Sequence, residues 1–233
     1  MKTLTVFSLF LGLSLFFTEK AMALSHRGYW IPQTKTLEYG EIKYDLGTYN
    51  AIDKAANSDH ESVVGLSAGI LRIYSWRMDI GIDWWEPTPD QLMKALATHA
   101  RISFQDFEKD GWSIAIGGDR FALGADYWDY NLLYFAFQNR VGARLMAEMG
   151  AYSGNEPRIG NANGAFAGIW YRIQNGHGDI GVEWMSGNGP LGAIAPGIRA
   201  ELRDGVEGLL SIVIAQKRPE QRDLLQARLT VYF

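Results

Sequence analysis

From residue 38 to its end the chain alternates apolar and polar residues, and clusters of turn residues cut the alternation into short segments. The final segment shows it most fully. Leu225, Ala227, Leu229, Val231 and Phe233 fall on one side of an extended strand, and Gln226, Arg228, Thr230 and Tyr232 fall on the other, because side chains in a strand repeat with a period of two. Trp76, Met78, Ile80, Ile82 and Trp84 are divided in the same way from Arg77, Asp79, Gly81 and Asp83. Ile180, Val182 and Trp184 oppose Asp179, Gly181 and Glu183, and Ile198, Ala200 and Leu202 oppose Arg199, Glu201 and Arg203. Any one of these strands fits a soluble β-sandwich. Nearly all of them keeping one apolar face does not, since edge strands and sheet corners interrupt the pattern.

The segments number about twelve, with ten or fourteen as the neighbouring even counts. Short links rich in Asn, Asp and Gly, such as Lys109-Asp110-Gly111, Asn175-Gly176-His177-Gly178 and Arg203-Asp204-Gly205, alternate with longer ones such as 51–61, 154–163 and 218–222. Those residue types accept the positive φ of tight hairpins. The weakest boundary is at Ser75, where no turn signal separates Tyr74 from Trp76. The terminal strand ending on Phe233 resembles the closing strand of bacterial outer-membrane β-barrels. That resemblance implies an all-β, transmembrane antiparallel barrel over residues 38–233, with aliphatic side chains in lipid and polar ones in a lumen. It also implies that Leu229, Val231 and Phe233 form an assembly signal read by the barrel-assembly machinery, with outer-membrane lipid and lipopolysaccharide as surroundings.

The N-terminus agrees with this compartment. Lys2, the apolar run 4–17 and the small-x-small triplet Ala21-Met22-Ala23 read as a cleaved secretory signal over residues 1–23, the run being too short to span a bilayer as a helix. Residues 24–37, containing Tyr29-Trp30-Ile31-Pro32, precede the first strand and are expected to enter the lumen as a partial plug. Cysteine is absent, which removes disulfides, thiolate metal sites and lipoprotein attachment. Losing residues 1–23 takes away two lysines and one glutamate, so the formal charge moves from −4 to −5. An acidic chain argues against a nucleic-acid partner. Trp76 and Trp112 fall at the short-turn ends of strands, where an aromatic girdle belongs.

Twelve strands about 4.8 Å apart and tilted about 40° give a backbone radius near 12 Å. That lies between barrels filled by their own side chains and open porins, so the inward residues decide what the interior does. The candidate pore-lining set is Arg77, Asp79, Asp83, Arg101, Arg144, Glu148, Arg172, Asp179, Glu183, Arg199, Glu201, Arg203 and Arg228. The leading expectation is a channel for small hydrophilic solutes. The alternatives are a plugged barrel with a structural or partner-binding role in a membrane assembly, and an outer-membrane hydrolase.

The sequence weighs against an enzyme and points to no cofactor, metal ligand or catalytic residue. His99 and Ser103 share the lumenal face with Arg101 between them, a face that membrane lipid does not reach. His60, beside Asp59 and Glu61 in the first long link, reads as part of a solvated loop. Gly117-Gly118 reads as a strand end or bulge.

Overall fold

The computed structural model describes residues 31–52, 60–85, 96–106, 111–122, 132–154, 163–173, 177–187, 192–216 and 223–233. They form a closed antiparallel barrel of twelve strands: β1 (Ile42–Ala51), β2 (His60–Ile73), β3 (Trp76–Trp85), β4 (Leu96–Asp106), β5 (Trp112–Ala122), β6 (Leu132–Val141), β7 (Leu145–Gly154), β8 (Asn163–Arg172), β9 (Gly178–Met185), β10 (Ala193–Arg203), β11 (Val206–Ala215) and β12 (Leu224–Tyr232). Every strand pairs with its sequence neighbours, and β1 closes on β12. The expected all-β transmembrane architecture and the count of twelve are both present, and closure leaves no backbone edge in lipid. The signal at 1–23 and the long links lie largely outside the described residues.

Alternation places Ile80 and Ile82 of β3, Leu133 and Phe135 of β6, and Leu210, Ile212 and Ile214 of β11 on the exposed outer face. Asp79, Tyr134, Leu209 and Ser211, each one position from one of these, are buried inside. At the short-turn end, periplasmic in this architecture, Phe104 packs edge-on to Trp76 with ring centres 5.4 Å apart and stacks on Trp112 at 5.3 Å. This joins the two expected girdle residues through a third aromatic.

One doubtful boundary is present where the sequence reading put it and one differs, both for backbone reasons. The doubtful break at Ser75 is a tight turn in which Tyr74 takes φ +53°, a conformation uncommon for a bulky residue. The first strand begins at Ile42 and not at residue 38, because Tyr39 and Gly40 form a turn closed by Glu41 N donating to Glu38 O at 3.0 Å. That turn lies hard against β2. A Cβ on Gly69 would sit 1.8 Å from the Glu38 carbonyl oxygen, so only glycine permits the approach. β2 carries a bulge between Gly69 and Leu71, and β5 one between Gly118 and Phe121, opposite His99 of β4.

Candidate functional site, the barrel lumen

The interior has two unlike walls. Across β6 to β11 the inward residues are largely apolar: Tyr134, Met146, Tyr152, Phe166, Trp170, Met185 and Leu209 form one cluster. Period-two reading understated this wall, because β6 is apolar on both faces. The walls of β1 to β5 carry Lys43, Asp45, Ser67, Asp79, Asp83, His99, Arg101, Ser103, Gln105 and Ser113.

Residues 31–37 run between the two walls. Ile31 joins the apolar cluster, and its N–H donates to Glu183 of β9 at 2.8 Å. Thr34 Oγ1 lies 2.6 Å from Ser113 Oγ of β5 and donates to Gln138 of β6 at 2.5 Å. Thr36 meets Ser103 of β4 at 2.9 Å and accepts from Gln105. Leu37 N–H donates to Asp79 of β3 at 3.0 Å. Asp79 also takes the Arg101 guanidinium at 2.5 Å, and Arg101 in turn donates to the Gln33 carbonyl at 3.0 Å. One buried ion pair thus grips both strands and segment. Nearer the turn, Glu38 pairs with Arg77 at 3.0 Å. Outside the strands, burial pulls the Lys35 ammonium down to about 8 against the opposing pull of Glu41 and Glu207, and burial raises the Glu41 carboxyl.

The remaining candidate lining residues occupy distinct places. Asp179 pairs with Arg199, which is buried, and with Arg172 at 3.3 Å. Glu148 is buried within electrostatic reach of Glu183. Arg228 faces inward on β12, half-buried. Glu201 lies 3.5 Å from His177 near the periplasmic end. Arg144 is exposed and bonds Tyr171, itself an exposed side chain, at 3.2 Å. Arg203 is exposed at the end of β10, beyond a bulge at Glu201. Arg144 and Arg203, which alternation assigns to the lining, therefore stand at the rim.

A second cluster was not legible in the sequence. His99 Nδ1 lies 2.9 Å from Asp83 Oδ2, and His99 Nε2 lies 3.1 Å from Ser67 Oγ. Asp119 of β5 brings another carboxylate, so one oxygen each of Asp83 and Asp119 and one His99 nitrogen lie within 4.8 Å of one another. The registers explain the contact. Gly81 stands directly between Ser67 on β2 and His99 on β4. A Cβ there would lie 2.3 Å from His99 Nε2, so the bare glycine lets the imidazole cross β3 and reach Ser67. Ser103, the serine that strand spacing suggests for His99, is engaged with Thr36 and Gln105.

No family model and no curated protein matches this chain. Solved structures do. The KdgM porin in complex with disordered oligogalacturonate superposes with a TM-score of 0.51 at 12% identity, covering 83% of this chain and 98% of that one. An active-site mutant of outer membrane phospholipase A from Escherichia coli superposes with a TM-score of 0.50 at 11% identity, covering 88% and 94%. At such identities the likeness establishes the outer-membrane barrel fold, shared by porins and a hydrolase alike. The expectation that the chain is not an enzyme is thereby corrected, since a barrel like this one houses a phospholipase. A polar lumen is no argument against catalysis.

Proposed function

We propose that this outer-membrane protein is a channel for small hydrophilic solutes, narrowed by its own N-terminal segment. The observation that carries the reading is the set of hydrogen bonds joining residues 31–37 to β3, β4, β5, β6 and β9. Each is a polar contact whose groups a wetted lumen satisfies in the segment's absence, and the burial of Ile31 and the Asp79–Arg101 pair hold the segment in place. In the region described, the carboxylates Glu38, Glu41, Asp45, Asp79, Asp83, Asp119, Glu148, Asp179, Glu183 and Glu207 outnumber the cations Lys35, Lys43, Arg77, Arg101, Arg172, Arg199 and Arg228. An acidic interior concentrates counter-ions of positive charge. The KdgM porin is described with an oligogalacturonate, an anionic sugar, whereas the charge here favours neutral or cationic solutes. Residues 1–23 act in this reading as the export signal, and Leu229, Val231 and Phe233 as the mark recognised by the assembly machinery.

In a planar bilayer the protein is expected to give small, discrete, cation-preferring conductance steps, and a variant lacking residues 24–37 larger ones. Silence from both overturns the channel and leaves a sealed barrel with a structural or partner-binding role.

A further inference from the structure

We infer that Ser67, His99 and Asp83 form a lumenal nucleophile relay that cleaves esters of small neutral or cationic acyl compounds. The geometry meets the three requirements of such a relay: a hydroxyl within reach of a base, the base held by a carboxylate, and both distances in the hydrogen-bond range. With the proton on Nδ1, the imidazole donates to Asp83 at 2.9 Å and leaves Nε2 to accept from Ser67 at 3.1 Å. This tautomer is the one that lets both contacts be hydrogen bonds to an ionised Asp83.

The chemistry closes without any other reagent. Ser67 Oγ attacks the ester carbonyl carbon as its proton passes to Nε2. The C–O bond to the alcohol then breaks, and the alcohol leaves with that proton. Water enters, gives a proton to Nε2 and attacks the acyl-serine. The acid departs and Ser67 recovers its hydrogen. Asp83 and Asp119 stabilise the imidazolium formed in both halves. Strand N–H groups point along the sheet to neighbouring strands, so the developing oxyanion needs a side-chain donor. Lys43 is directly opposite Ser67 in the β1–β2 register and is the cation that this register brings beside it, its ammonium held 2.9 Å from Asp45.

Position and charge define the substrate. Asp83 is four residues further from the periplasmic turn than Asp79, which holds the N-terminal segment. His99 is likewise further from that end of β4 than Arg101 and Ser103. The relay therefore stands further from the periplasmic end than the Asp79 anchor of the segment. The relay faces the lumen, so a bilayer lipid on the outer wall does not reach it. Asp83 and Asp119 repel anionic acyl compounds.

The test uses the full-length protein in detergent, with p-nitrophenyl acetate as substrate and a small fluorophosphonate as a serine label. Ser67 is buried, so the label tests access as well as reactivity. The wild type is expected to hydrolyse the acetate above the detergent background and to carry the label on Ser67. Ser67→Ala and His99→Gln should fall to background, and Asp83→Asn should lose on the order of a thousandfold in kcat with little change in KM. Ser211→Ala, at a buried serine on β11 outside the relay, should match the wild type, and each variant should keep the heat-dependent gel shift of a folded barrel. Absence of hydrolysis and label in the wild type, an undiminished Ser67→Ala, or a label on another residue overturns the relay. None of these outcomes bears on conductance, so the channel and the relay stand or fall separately.

Discussion

Replacing Asp79 by alanine is expected to destabilise the barrel by about 3–5 kcal/mol and to release the N-terminal segment from the lumen. Asp79 is 1% exposed and accepts from both Arg101 and the Leu37 N–H. Its removal leaves a guanidinium whose side chain is 10% exposed without its carboxylate, and frees one of the anchors of residues 31–37. Denaturant unfolding in detergent, followed by loss of the compact gel species, measures the first effect. The second is read with a Thr34→Cys reporter, since the chain has no native cysteine. Maleimide labelling at position 34 should accelerate when Asp79→Ala is added. The double variant Asp79→Leu/Arg101→Met is expected to recover most of the stability, because an apolar pair of similar volume replaces the ion pair. It should leave labelling fast, because Leu37 and Gln33 lose their partners. Slow labelling in both variants would mean that Asp79 does not hold the segment.

Deleting Phe233 is expected to lower the amount of assembled barrel more than any loop substitution. Ile42 N–H donates to the Phe233 carbonyl at 3.1 Å, and Phe233 N–H donates to the Ile42 carbonyl at 2.8 Å. These two bonds complete the β1–β12 seam at its periplasmic end. Without them the N–H and C=O of Ile42 are unpaired, at about 1–3 kcal/mol each when shielded from water. Phe233→Ala keeps the backbone pair and removes only the outward ring, so comparing it with the deletion separates the seam from recognition of the ring. Glu220→Ala should assemble normally. Wild-type levels of the heat-shifting species in the deletion variant would refute the role of this end.

The contrast between the outer and inner faces of the described barrel shows where sequence reading succeeded. Ile80, Ile82, Ile180, Val182, Ile198 and Leu202 were placed outside by parity alone, and all are exposed. Lipid demands an apolar face from every strand, so the pattern is repeated and redundant. Parity was weaker inside. Met146, Phe166 and Trp170 are apolar yet buried in the lumen, since a narrow interior is filled by packing as well as by charge. Arg144 and Arg203 have the alternation of lining residues but stand exposed at strand ends, where turns and a bulge end the register.

By itself the sequence determined the barrel, a count of about twelve strands and the faces of its lipid-exposed positions. All of these follow from a local period of two and from turn residues, which are properties of neighbours along the chain. The tertiary structure decided which inward groups meet. Ser67, Gly81 and His99 lie on three strands, and the β2–β3 register that aligns them depends on a bulge at Gly69 and a positive φ at Tyr74. Neither leaves a mark in the alternation. A shift of one residue in pairing would turn the same serine outward, so a contact between strands is set by register, and register is a property of the closed sheet.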